Sequence, residues 1–138
     1  SPQPMSDLKH TCTTLLHDVE QALGVTVIDL QSGRLLGVAH NTPYFTPSYV
    51  DAVVAASVVM FQGPAVRNVE NALTAQHQTP EHHHIEEAEM ATDHTYHFMS
   101  VVPGRRDVLV VLITTRRVNL GLGWNSLREA LPQIAAAC

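Results

Sequence analysis

Ser48 to Phe61 constrains this chain more than any other stretch. After Tyr49 it is apolar almost all the way round a helix, interrupted only by Asp51 and Ser57. Thr46 is a good N-cap, and Pro47 falls at the first helical position, where a missing N–H is harmless. A surface helix ordinarily carries one apolar stripe and a polar back. A helix greasy on both sides needs two covers. In a chain of 138 residues, one cover is its own sheet and the other is a second copy of the protein. The pattern therefore points to an assembly module rather than a self-contained enzyme.

The length suits a single domain that buries a core without metal or disulfide. Residues 1–5 read as a remnant and start, and 6–138 as one domain. The net charge of −5 and two isolated arginine pairs, Arg105 with Arg106 and Arg116 with Arg117, argue against nucleic acid as a partner. Cys12 and Cys138 form no C-x-x-C pair and suit a reducing cytosol, the alternative being a bridge between the ends. Ser1 to Pro4 lacks the pattern of a signal peptide, and the long greasy run contains Asp51, so no membrane insertion is expected. The expected location is cytoplasmic.

Leu8, Cys12, Leu15, Leu16, Val19 and Leu23 recur at three- and four-residue spacing, which predicts a helix started by Ser6 and ended by Gly24 in the left-handed conformation. Val25 to Leu30 and Leu35 to Ala39 read as a hairpin around Gln31 to Gly33. Asn41 to Pro47 is a loop. Gly63 and Pro64 should break the long helix, which resumes through Val66, Val69, Ala72 and Leu73. His84 to Met90 and Thr95 to Val102 are strand candidates. Val108 to Thr114, apolar on both faces, should be central. Asn119 caps a last helix, whose final turn Pro132 should weaken. The order α-β-β-α-β-β-β-α predicts an α+β fold, a five-stranded antiparallel sheet with helices on both faces.

That order carries local words of a known family. Gly24-Val25 running to Asp29 and Gly33 gives an apolar strand closing in an acidic residue and a glycine turn. Asn119-Leu120-Gly121-Leu122 follows the strand Val108 to Thr114 directly. Together these resemble the Roadblock dynein-light-chain family, of the bacterial or archaeal type, whose fold is close to profilin and longin domains. The resemblance spans roughly Leu8 to Ile134. It implies a protein that is not an enzyme and needs no cofactor. It also implies a homodimer that sets the middle helix and third strand of each copy side by side, joining two five-stranded sheets, as a platform that regulates a small Ras-like GTPase. The interface then draws on Val50, Val53, Val54, Ser57, Val58 and Phe61, divided between core and dimer contact, with His84 and Glu86 on the third strand. The run His82-His83-His84-Ile85-Glu86-Glu87 and the Gly63–Pro64 break depart from the family pattern.

Histidine offers a sharper alternative. His77, His82, His83, His84, His94 and His97 fall within about twenty residues. On a strand His82 and His84 share a face, and with His94 or His97 they could bind zinc as a metal or small-ligand sensor. No H-E-x-x-H and no nearby cysteine supports it. Glu81, Glu86, Glu87 and Glu89 beside the histidines raise a second possibility, a pH switch, against the plainer reading of a charged edge strand that resists aggregation. Asp29 near His40 could look catalytic but fits a hairpin turn better. Gly121-Leu122-Gly123 is too short for a dinucleotide loop, and no G-x-x-x-x-G-K-[ST] or nucleophile elbow exists. Trp124 should be core, Arg116 and Arg117 solvated, and Cys12 buried and inert.

Overall fold

A computed structural model describes residues 4–77 and 85–138. The first helix, α1, covers Pro4–Asp18, three residues earlier than a Ser6 cap would allow. It also ends well before Gly24, because β1 (Ala22–Asp29) has already begun. Asp29 turns the hairpin as expected: its Oδ1 accepts from the backbone N–H of Gln31 at 2.9 Å and of Ser32 at 3.4 Å. Gly33 supplies the left-handed residue at φ 71°, and β2 (Arg34–His40) returns antiparallel.

The middle helix α2 spans Pro47–Gln62, with the Thr46 side chain accepting from Tyr49 N–H at its start. It ends where the sequence says it should. Pro64 forces extended geometry on the residue before it, and Gly63 adopts φ −66°, ψ 159°. A Cβ on Gly63 would sit 2.5 Å from the Val59 carbonyl oxygen, so glycine alone fits. The chain resumes as α3 (Pro64–His77), then forms β3 (Glu87–Ala91), β4 (Thr95–Val102), β5 (Arg105–Thr115) and α4 (Leu120–Ala137). β3 therefore starts later than the expected His84. Pro132 lies inside α4, which nevertheless continues to Ala137.

The sheet order is β2-β1-β5-β4-β3, every pair antiparallel. β5 is central, and its alternation builds two cores. Val108, Val110 and Leu112 meet Leu8, Cys12, Leu15 and Leu16 of α1 and Leu127, Leu131 and Ile134 of α4. Leu109, Val111 and Ile113 join Met99 and Val101 under Val50, Val53, Val54 and Phe61 of α2. The result is an α+β sheet with helices on both faces.

Two glycines let large rings approach the backbone. A Cβ on Gly24 would lie 2.2 Å from the Phe45 ring, and one on Gly123 would lie 2.8 Å from Phe98. Gly123 thus serves helix-to-sheet contact in α4. Trp124, expected in the core, is only half-buried. It meets Phe98 edge-on at 5.2 Å and donates through Nε1 to Glu89 at 3.1 Å.

Cys12 is fully buried among the α1 and α4 side chains, and burial pushes its thiol up to about 12. A thiolate is the reactive form, so Cys12 should resist a maleimide at pH 8 while half-buried Cys138 reacts first. Intact mass after timed labelling checks this. Rapid modification of both cysteines in the folded protein would show that α1 opens easily.

Candidate interaction surface

The outer side of α2 is built from small and branched apolar residues. Ala52, Ala55 and Val59 are exposed, and Ala56, Val58 and Met60 are half-buried beside them. Val59 stands 65 % exposed, and on α3 Val69 stands 54 % exposed. Asp51 is the one charged residue on α2. By length and composition the stretch Pro47–His77 is apolar enough to cross a membrane. In the fold it instead bends at Gly63 and rests its inner side on the sheet. Its apolar residues thus divide between a face already covered and a face that is not.

The α2 residues expected to divide between core and dimer contact fall mostly to the core. Val50, Val53, Val54 and Phe61 are at most 9 % exposed and belong to the chain's own core. Ser57 is fully buried too, its hydroxyl donating back to the Val53 carbonyl at 2.7 Å, which satisfies it inside the helix. None of these five presents surface to a second copy. Of the expected α2 residues, Val58 alone is half-buried. The uncovered row is Ala52, Ala55 and Val59, on the opposite side of the helix. Spacing along a helix apolar on every side cannot say which row meets the sheet, so the sequence carried no signal for it.

β3 lies at the sheet edge, and among the described residues no strand pairs with its outer side. Its side chains alternate. Ala88 and Met90, preceded by Ile85, lie on the α2 face. Glu87 and Glu89 point to α4, where Arg128 donates to Glu87 through two nitrogens, both at 2.8 Å, and Trp124 donates to Glu89. The Arg128 bonds hold the Glu87 carboxyl below its ordinary range. Glu86 is exposed and pairs with Arg106 at 3.3 Å. His84, the other expected contact, lies outside the described residues, as do His82 and His83.

The remaining metal candidates are not brought together. His94 is exposed in the β3–β4 turn, its ring 3.5 Å from Asp93. His97 is 3 % exposed on β4, and its Nε2 lies 3.1 Å from the Tyr49 hydroxyl of α2. Burial lowers the His97 pKa, and the Met90 backbone raises it by less. Burial also raises the Tyr49 pKa. Among the described residues no three potential ligands converge. The zinc reading therefore has one candidate in solvent and one engaged with Tyr49.

Nor do Asp29 and His40 meet. They sit at opposite ends of the β1–β2 hairpin, and His40 stacks on Phe45 at 5.4 Å. Arg116 lies over the Tyr96 ring at 4.5 Å and donates to the Thr92 carbonyl at 2.7 Å, holding the β3–β4 turn, while Arg117 is exposed. A hollow of about 290 Å³ between β3 and α4 contains Ser100, whose hydroxyl donates to the Val101 carbonyl, not to a base. The open features are thus an apolar helix face and a strand edge.

No protein-family model matches the chain, and no curated protein matches it in sequence. Solved structures do match in fold. MglB of Myxococcus xanthus superposes with a TM-score of 0.69 at 17 % identity, covering 99 % of this chain and 90 % of that one. The gliding protein MglB of Thermus thermophilus gives 0.73 at 14 % identity, covering 99 % and 92 %. A Roadblock/LC7 domain from Streptomyces avermitilis gives 0.67 at 10 % identity, covering 93 % and 94 %.

Proposed function

For a chain that carries the Roadblock/LC7 fold, we propose the role of a non-catalytic, cytoplasmic homodimeric scaffold that binds and regulates a small Ras-like GTPase. One observation carries the assembly: α2 keeps an uncovered apolar row while β3 has, among the described residues, no strand on its outer side. Exposed apolar surface of this extent marks a site of association, and an unpaired edge offers a row of backbone donors and acceptors to another strand. A two-fold axis beside β3 would satisfy both at once. Helix would cover helix, Ala52 and Ala55 allowing close approach, while β3 met its own copy antiparallel. Glu86 stands immediately before β3 and would flank that seam.

The likeness to MglB and Roadblock/LC7 structures supports the reading through fold, and fold alone does not establish function. The GTPase class rests on the family resemblance carried by Asp29, Gly33 and Asn119 to Leu122. The test uses the whole protein on beads, exposed to cytosol of its source in GTP-analogue and GDP buffers. Retention of a small GTPase in one nucleotide state, reproduced with the two purified proteins, is the expected result. No GTPase in either buffer would overturn the regulator reading and leave the dimer to be judged by its mass in solution.

A further inference from the structure

His97 is the buried imidazole at the junction of the two elements that form the proposed seam. Its ring stands on β4, directly across the ladder from Met90 of β3, and its Nε2 reaches Tyr49 in the first turn of α2. Tyr49 is itself wedged: Phe45 meets it edge-on at 5.1 Å, and Thr46 accepts its backbone N–H. One side chain thus touches the helix and faces the strand that would carry the partner copy.

We infer that His97 makes the dimer pH-sensitive: it supports the seam while neutral and loosens it when protonated. This rests on the dimer reading above. Among the described residues, the groups around His97 offer no counter-charge. Tyr49 is the titratable group that faces it from α2. β3 presents Ala88 and Met90 on this side, since Glu87 and Glu89 point to Arg128 and Trp124 on the other. β5 presents Ile113, its partner in the ladder. Asp93 and His94 sit in the exposed turn, close to one another. A proton on His97 therefore places a cation among apolar groups with only the Tyr49 phenol and the Met90 backbone to receive it, which offsets burial in part, and water becomes the better surroundings.

The coupling to assembly follows from cover. In one copy alone α2 is held from the sheet side only, and half-buried Tyr49 is the cover between the imidazole and water. In a dimer α2 is clamped from both sides, and the imidazole is held dry. The dimer's His97 then has the lower proton affinity. Its support is fully present above the monomer's pKa and is lost as pH falls through that value toward the dimer's. Each unit of difference is a tenfold change in association.

The experiment is sedimentation equilibrium at pH 7.5 and 5.5 on the wild-type chain and on His97→Gln, with far-UV circular dichroism to confirm folding at both values. The expected result is a dimer Kd that rises roughly threefold to tenfold at pH 5.5 for the wild type and stays flat for His97→Gln. An equal Kd at both values, or an equal rise in His97→Gln, would overturn the inference. Should His97→Gln not fold, proton NMR of the imidazole decides instead. His97 should titrate at a lower pH in the dimer than in a Val59→Asp monomer, and coincident midpoints would overturn the coupling. A wild-type chain that is monomeric at both values defeats the dimer reading itself, an outcome separate from a dimer indifferent to pH.

Discussion

Val59→Asp should turn the dimer into a folded monomer. Val59 is the most exposed large residue of α2 and has no role in either core. A carboxylate there meets water in the single chain and costs little, within about 0.5 kcal/mol as for other surface changes. In a two-fold assembly the substitution enters twice and is desolvated twice. An unpaired charge at the centre of an apolar contact is among the most damaging changes an interface can suffer, about 3 kcal/mol or more. The dimer Kd should rise at least about a hundredfold. Light scattering after size exclusion reads the mass, and thermal melting reads the fold. Val54→Asp is the contrasting variant: Val54 is 9 % exposed under the sheet, so it should cost the fold and leave insoluble chain. A folded Val59→Asp that remains dimeric would place the seam elsewhere.

Gly24→Ala should be a costly single-methyl addition. The ring of Phe45 occupies the space where that methyl would sit. Phe45 cannot swing aside freely, since it is 7 % exposed, stacked on His40 and edge-on to Tyr49. Displacing it unseats the loop that leads into α2 and the Thr46 cap behind it. Overpacking of this kind costs about 3 kcal/mol. For a domain of this size that lowers the melting temperature by roughly 10 °C. Pairing Gly24→Ala with Phe45→Leu should recover part of the loss, because the two changes share one space and cannot be additive. A Gly24→Ala chain that melts with the wild type would show the loop is not anchored there.

Much of the fold was legible from local chemistry. Thr46 with Pro47, Gly63 with Pro64, Asp29 with Gly33, and Asn119 each act within a few residues of themselves, and each marks the boundary it was expected to mark. The run Val108 to Thr114, apolar on both faces, likewise carried its central place in the sheet. Gly24 was misread because its reason for being glycine lies twenty-one residues away in Phe45, beyond the reach of any capping rule. Ser6 was misread because a helix can begin before its best cap. The site was harder. The need for a second cover on α2 was visible, but which row is uncovered depends on how the helix is rolled against the sheet. That roll is set by Leu109, Val111 and Ile113, a tertiary choice. His97 drew attention as one of a crowd of histidines, whereas the structure separates it from His94 and gives it Tyr49 instead.

A sheet with two free edges that both accept a strand would polymerise. This one does not treat its edges alike. On β2 the register slips: Val27 faces Gly37 and Ile28 faces Leu35, leaving Leu36 as an extra residue in the edge. Such a bulge breaks the regular row of donors and acceptors that an incoming strand would need. β3 runs in unbroken register from Glu87 to Ala91. Two copies joined at β3 therefore present only bulged β2 margins to the outside. In the proposed dimer the same topology that invites one partner would refuse a third, so growth would halt at two by geometry, with no capping subunit required.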